Sequence, residues 1–367
     1  MEKQLIMRGK NGYGELEEHL LSHGCKRLML VCGGSLSGTA AGAFFSALTK
    51  RTGIEVVRFG GFSPNPDYDD IAVGVRAFRE SGCDAVCGAG GGSAMDTAKC
   101  IKLFAEMSDE TPYVEQPIVP NSVPLIAVPT TAGSGSEATR FAVIYRGGVK
   151  LSVASGSCLP AAVLLDPDAL VTLPDRHRCA AMLDALCHAI ESLWSVSSTD
   201  ESRGYSREAI RMIMANMEGY SARDSSCSAA MMEAAHLAGR AINITTTTAA
   251  HAMCYKLTTL YGLPHGHAAA LCLPEVYRFL CENCATAQLR GVLGEIPLLL
   301  GCDGFDTALA LLRELPRRLC TDSVPQATDV ELGLLADSVN PQRLSNTPVV
   351  PDRDAINEMY IHILGRR

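Results

Sequence analysis

Along the first half of the chain, short apolar runs alternate with longer amphipathic stretches. The runs at 27–32, 55–59, 85–88, 125–128 and 141–145 predict strands, and the stretches at 39–51, 69–81 and 93–106 predict helices between them. Strand and helix taking turns is the pattern of crossover connections between parallel strands, so this half reads as an open α/β sheet whose ligands gather at the strand ends. Beyond Asp166-Pro167-Asp168 the strand signals fade, and segments rich in Ala, Leu, Met and charged residues predict an all-helical remainder. The Pro- and Asp-rich stretch 159–174 is the natural hinge. We therefore expect an α/β dinucleotide-binding domain over 1–168, an all-α domain over 169–367, and a cleft between them that holds the chemistry.

Composition narrows the class of function. With 47% hydrophobic and 20% charged residues in 367, the chain has enough apolar material for two folded domains, and extensive disorder is excluded. Lys and Arg total 32 against 40 for Asp and Glu, so the net charge of -8 offers no electrostatic footprint for nucleic acid or an anionic membrane surface. No apolar stretch approaches the roughly 18 residues of a membrane helix, and the opening Met-Glu-Lys-Gln-Leu-Ile-Met-Arg carries early charges, so we expect a cytoplasmic protein. The 15 cysteines are scattered through apolar segments and read as buried thiols of a reducing compartment. Cys281 and Cys284 have knuckle spacing but no second pair to complete a four-ligand site, and read as part of a helix.

Two glycine loops carry the first chemical signal. Gly90-Gly91-Gly92-Ser93 follows the strand at 85–88 and opens a helix, the arrangement that lets backbone N–H groups and a helix N-terminus meet a pyrophosphate. Such a turn also serves tight packing alone. The next loop, Pro129-Thr130-Thr131-Ala132-Gly133-Ser134-Gly135-Ser136-Glu137, again follows an apolar run and concentrates hydroxyls and small residues. Two such loops at successive strand ends suggest a dinucleotide. The first strand runs into Cys32-Gly33-Gly34-Ser35, with no acidic residue to hold a ribose 2′-hydroxyl, which permits NADPH as well as NADH.

The second signal lies in the helical half. Asp184 and His188 are four residues apart, so on a helix they project from one face one turn apart. His251 and His265 follow in Ala-rich, apolar settings, giving three imidazoles and one carboxylate, a mixture that suits Fe2+ or Zn2+. His19, His23, His177, His236 and His362 sit beside surface-type residues and read as structural or surface histidines.

Together, the stretch from Gly90 to Lys99, the loop from Pro129 to Glu137, the Asp184…His188 pair and His251…Pro264-His265-Gly266 resemble the iron-containing (group III) alcohol dehydrogenase family. The resemblance spans most of the chain. It implies one divalent metal ion, iron or zinc, held by Asp184, His188, His251 and His265, and a nicotinamide cofactor held around Gly91, Gly92, Ser93, Thr130, Thr131, Ser134 and Lys150. Gly33 and Ser35 of the first loop join that expected cofactor set. The family also implies a homodimer or larger assembly. Within it, the segments 135–145 and 195–203 are similar to the phosphonoacetaldehyde reductases.

Three positions depart from the pattern. Tyr255 stands where the family commonly has a second histidine, four residues after His251. Gly33 stands where many members have an acidic residue, and His188 where that subfamily is associated with glutamine. The implied activity is reduction of a small aldehyde with an anionic tail, most directly phosphonoacetaldehyde to 2-hydroxyethylphosphonate. Sulfoacetaldehyde reduction to isethionate and a general alcohol or polyol dehydrogenase are the alternatives. A cyclase or lyase with transient cofactor use, and a nucleotide sensor, belong to other classes. Candidate proton donors are His267, Tyr255 and water; candidate contacts for an anionic tail are Arg140, Lys256, His267 and the hydroxyls of Thr245 to Thr248.

Overall fold

The computed structural model describes residues 4–366. The chain forms two compact units: residues up to Thr131 together with Gly135–Thr172, and Ala132–Ser134 together with residues from Leu173 onward. The division falls at Thr172/Leu173, where the sequence expectation places it at 168/169.

The first unit is built on six parallel strands, β1 (Leu5–Arg8), β2 (Arg27–Cys32), β3 (Glu55–Phe59), β4 (Ala85–Gly90), β5 (Leu125–Pro129) and β8 (Ala162–Leu165), in the order β1-β8-β5-β4-β2-β3. Helices α1 (Gly12–Ser22), α2 (Ala40–Thr52), α3 (Tyr68–Ser81) and α4 (Gly92–Phe104) supply the crossovers. Their ends follow local chemistry. Thr39 caps α2 by accepting from the Gly42 N–H, Asp67 caps α3 through Asp69, and Gly53 and Gly82 stop the two helices in left-handed conformations. One apolar cluster on the sheet includes Met29, Val31, Ile71, Val86 and Ile101, and a second includes Leu28, Leu30, Phe45, Ile126 and Leu164.

From β2 the chain crosses to β3 on one side and then to β4 on the other, so the topological switch point lies between β2 and β4. Register keeps the strand ends level: Cys32 pairs with Ala89, and Gly90 with Pro129. The loops that begin at Gly33, Gly91 and Thr130 therefore leave the sheet side by side from its carboxyl edge.

Two expectations are corrected here. The run at 141–145 is a strand, but not of the parallel sheet: β6 (Phe141–Arg146) pairs antiparallel with β7 (Val149–Ala154). Gly147 and Gly148, at φ +56° and +77°, close the two-residue turn that makes this hairpin. The stretch 159–174, expected to be a hinge, does contain the division at Thr172/Leu173, but only its end is the boundary: it also contains β8, which is buried and lies between β1 and β5. Four residues, Ala-Val-Leu-Leu, are too few for a periodicity to register, and Pro160 and Pro167 on either side mark only the ends.

The second unit contains α5 (Asp175–Trp194), α6 (Asp200–Ser221), α7 (Ser228–Thr245), α8 (Ala249–Tyr261), α9 (His265–Glu282), α10 (Ala287–Leu299), α11 (Phe305–Leu319), α12 (Asp329–Asp337), α13 (Pro341–Leu344) and α14 (Arg353–Leu364). Its centre is α5, packed against α6, α7 and α9. From Cys179 to Trp194 all of its residues but Ala181 are buried, so it is enclosed on every face rather than amphipathic. Cys281 lies in the last turn of α9, and no disulfide joins cysteines among the described residues. Among those residues no helix is long and apolar enough to cross a membrane.

Candidate metal centre

An enclosed helix that carries Asp184, His188 and Glu191 must find partners for them, because unpaired polar groups in such a setting cost several kcal/mol, of order 2–7 each. These residues stand at spacings of four and three, on one face of α5. His251, in the first turn of α8, and His265, the first residue of α9, face them. Ligand atoms of Asp184, His188 and His251 lie within 4.8 Å of one another, and all three residues are buried. Asp184 Oδ1 is 3.2 Å from His251 Nε2, 3.9 Å from His188 Nε2 and 3.9 Å from His265 Nε2. Three imidazole nitrogens thus converge on one carboxylate oxygen, while only one of them is close enough to hydrogen-bond it. His265 is at the open side, with its side chain 40% exposed.

Close packing brings α9 to this point. A Cβ on Gly266 would run into the Ala180 carbonyl oxygen and come within 2.6 Å of the Asp184 Cβ, so the missing side chain is what lets the start of α9 approach α5.

Glu191 was not singled out from the sequence, although its place on the Asp184–His188 face was a signal for it. It is fully buried. Its Oε1 accepts from the Thr248 N–H at 3.0 Å and the Thr248 hydroxyl at 2.6 Å, and His251 Nδ1–H donates to its Oε2. The carboxylate fixes the imidazole's orientation and proton position, leaving Nε2 to face Asp184, the arrangement of a carboxylate–histidine–metal relay.

Burial acts to raise the carboxyl of Asp184, but the imidazoles of His188, His265 and His251 outweigh it and hold the group well below the usual carboxylate range. Burial likewise opposes charge on Glu191, and His251 overcomes it. For His188 burial prevails and pushes the imidazole below its ordinary value, towards the neutral form a metal ligand needs. Burial opposes charge on His251 too, yet Glu191 and Asp184 on its two sides push it up to about 9. A buried carboxylate and three imidazoles converging on one point form an N/O donor set that fits Zn2+ or Fe2+.

Tyr255, one turn beyond His251, lies parallel to the His265 imidazole, the rings 5.5 Å apart and inclined by 9°. Its hydroxyl accepts from Arg343 Nη1 at 3.2 Å. Lys256 is half-buried beside it and makes no ion pair among the described residues. His267 does not join the cluster: two residues along a helix turn it away from His265. It is buried with both ring nitrogens unpartnered among the described residues, burial lowers its pKa, and its charged neighbours are Asp322, Arg317 and Arg176. The hydroxyls of Thr245 and Thr248 are used internally, by Ser192 and by Glu191 and Trp194, and Thr246 Oγ1 accepts from Asn346 Nδ2 at 3.0 Å.

In the first unit, Gly33 and Ser35 follow β2, Gly91, Gly92 and Ser93 join β4 to α4, and Thr130 and Thr131 follow β5. These places flank the switch point. The first turn of α4 has no side-chain cap. Ser134 is grouped with the helical unit. Lys150 lies on β7, and its charge helps lower the Asp96 carboxyl, which burial otherwise raises. Arg140 is exposed, its guanidinium 5.4 Å from the Phe141 ring centroid. Sequence reading also passed over Lys99, buried on α4 and donating to Ser136 Oγ at 2.8 Å, Thr139 Oγ1 at 2.9 Å and the Phe141 carbonyl at 2.6 Å.

A doubly wound dinucleotide fold and a helical unit with a buried Asp/His cluster define a class of metal-dependent nicotinamide oxidoreductases. The chain belongs to the iron-containing alcohol dehydrogenase family: residues 4–167 match its iron-containing alcohol dehydrogenase domain and residues 178–322 its C-terminal domain. It is 32% identical over 321 residues to the phosphonoacetaldehyde reductase of Streptomyces viridochromogenes, covering 82% of this chain and 80% of that protein. It is 34% identical over 331 residues to the 1,3-propanediol dehydrogenase of Citrobacter freundii, covering 87% and 84%. An iron-containing alcohol dehydrogenase from Thermotoga maritima superposes with a TM-score of 0.87 at 27% identity, covering 100% of this chain and 98% of that one. The protein is therefore an alcohol dehydrogenase or aldehyde reductase of a family that uses NAD(P) and a metal.

Proposed function

We propose that the protein reduces a small aldehyde with an anionic tail, phosphonoacetaldehyde to 2-hydroxyethylphosphonate, at the expense of NADPH or NADH. The observation that carries the choice of substrate is the 32% identity to a phosphonoacetaldehyde reductase over most of both chains. Asp184, His188, His251 and His265 would hold one Fe2+ or Zn2+, and Gly33, Ser35, Gly91, Gly92, Ser93, Thr130, Thr131, Ser134 and Lys150 the nicotinamide cofactor. When bound, the cation supplies Lewis acidity to a carbonyl oxygen and the dihydronicotinamide supplies a hydride. Reduction also consumes one proton, for which Tyr255 and water are the candidate sources. Glu191 keeps His251 in the tautomer whose Nε2 lone pair faces the cation. His267 serves packing rather than proton transfer.

A second reading, oxidation of an uncharged diol, is favoured by the 34% identity to a 1,3-propanediol dehydrogenase. The two are separated by following NADPH and NADH oxidation by the zinc- and iron-loaded enzyme with phosphonoacetaldehyde, sulfoacetaldehyde and 3-hydroxypropanal. A kcat/KM at least about tenfold higher for an anionic aldehyde supports the proposal, such a factor being the size of one charge-assisted contact. Equal or better turnover of 3-hydroxypropanal discards it in favour of the diol.

A further inference from the structure

We infer that Arg343 holds the anionic tail of the substrate. The inference rests on the reading of the substrate as an anionic aldehyde, and adds a residue that neither composition nor spacing brings near the site. Arg343 lies on the short helix α13, half-buried, with its Cζ 5.0 Å from the Tyr255 ring centroid and its Nη1 hydrogen-bonded to the Tyr255 hydroxyl at 3.2 Å. Tyr255 in turn lies flat on His265, whose Nε2 is 3.9 Å from Asp184 Oδ1. Guanidinium, phenol, imidazole and carboxylate are thus successive neighbours, all within the helical unit.

Arg343 differs from Arg240, which also lies over a tyrosine without an ion pair among the described residues, in that its tyrosine stacks on His265 of the metal cluster. Arg207 pairs with Glu295, Arg278 with Glu275, Arg318 with Glu218 and Arg353 with Asp337. Arg343 makes no ion pair among the described residues, and one of its five N–H groups is committed, to a neutral phenol. Cation–π contact and that hydrogen bond hold the planar fork in place without neutralising it, which preorganises it for two parallel hydrogen bonds to oxygens of a phosphonate or sulfonate.

Distance supports the assignment. The His265 and Tyr255 ring centroids are 5.5 Å apart and the guanidinium is 5.0 Å from the Tyr255 centroid, so the charge is no farther from the His265 imidazole than these two spacings combined. A two-carbon aldehyde reaching from a metal–oxygen contact of about 2 Å to a charge-assisted hydrogen bond of about 2.8 Å spans a gap of that order. Tyr255, in the place where related proteins commonly carry histidine, is then the positioning residue that presents Arg343. Lys256 is adjacent in sequence but lacks the planar fork.

The test compares the wild-type holoenzyme with Arg343→Gln and Arg343→Lys on phosphonoacetaldehyde, sulfoacetaldehyde and propanal. The Gln variant should raise KM for the preferred anionic aldehyde about 10- to 100-fold, with the KM for propanal changed far less. The Lys variant, a point charge, should recover part of that loss and shows that the fold tolerates substitution. Calorimetric Kd for 2-hydroxyethylphosphonate should weaken in parallel, while bound metal stays constant. Whichever of phosphonate and sulfonate loses more identifies the tail the fork fits. If wild type prefers the anionic aldehydes and Arg343→Gln keeps that preference, the assignment to Arg343 is overturned and the substrate reading stands. If wild type shows no such preference, both fall.

Discussion

Each unit buries a cluster of ionisable groups, and the two clusters are wired differently. In the α/β unit, the buried Lys99 and the half-buried Asp96 lie together on α4, 4.0 Å apart. Every strong group there has a protein partner: Lys99 donates to Ser136, Thr139 and Phe141, and Asp96 accepts from the Ser136 hydroxyl at 2.7 Å and the Val143 N–H at 2.9 Å. The network is closed, and it ties the segment that follows the second glycine loop to the helix that follows the first. In the helical unit, Asp184 receives three imidazole nitrogens with a single hydrogen bond among them. That cluster is open on its inner side. A closed buried network is a brace; a converging set of lone pairs is a place for a cation.

The largest expected effect comes from breaking the open cluster. Asp184→Ala should abolish bound metal, measured by atomic absorption, and lower kcat/KM roughly a thousandfold or more, because a metal's stabilisation of developing charge is worth several kcal/mol. The fold of the α/β unit should be untouched. Retention of stoichiometric metal would falsify the assignment of Asp184.

Breaking the closed cluster should instead cost stability. Lys99→Met removes the nearest cation from the half-buried Asp96 and the donor to Ser136, Thr139 and Phe141, and loss of such charge-assisted hydrogen bonds costs about 1.5–3 kcal/mol. Denaturant unfolding should report that loss, with metal content per folded molecule unchanged. An unfolding curve superposable on wild type would show that Lys99 braces nothing.

The smallest effect sharpens the comparison from within the open cluster. Glu191→Gln keeps the shape of the side chain but weakens its hold on His251 Nδ1–H, and the Kd for Zn2+ in competition with a chelator should rise about 10- to 100-fold. An unchanged Kd would mean that His251 is oriented by packing alone.

How much of this was legible beforehand differs between the units for a physical reason. In the α/β unit, periodicity, turn chemistry and glycine loops are local features. Strands 27–32 and 55–59 and the helix opened by Gly92 were readable from a few neighbouring residues. The same local reading misplaced 141–145, because a strand's own pattern does not say whether its partner runs parallel or antiparallel; the Gly147–Gly148 turn decided that. It missed β8, too short to show a period. In the helical unit the Asp184–His188 face was legible, and Glu191 could have been added from the same helix face.

The chain itself determined the alternation that makes a doubly wound unit, the helical character of the remainder, and the supply of one carboxylate and three imidazoles in apolar surroundings. Those follow from spacing, and spacing within one element survives folding. Tertiary structure alone decided which groups meet. It set His251 between Glu191 and Asp184 and carried Arg343 across 88 positions to Tyr255. Such meetings depend on how helices cross and how closely they approach, as at Gly266, and a contact between distant segments leaves no period in the sequence of either.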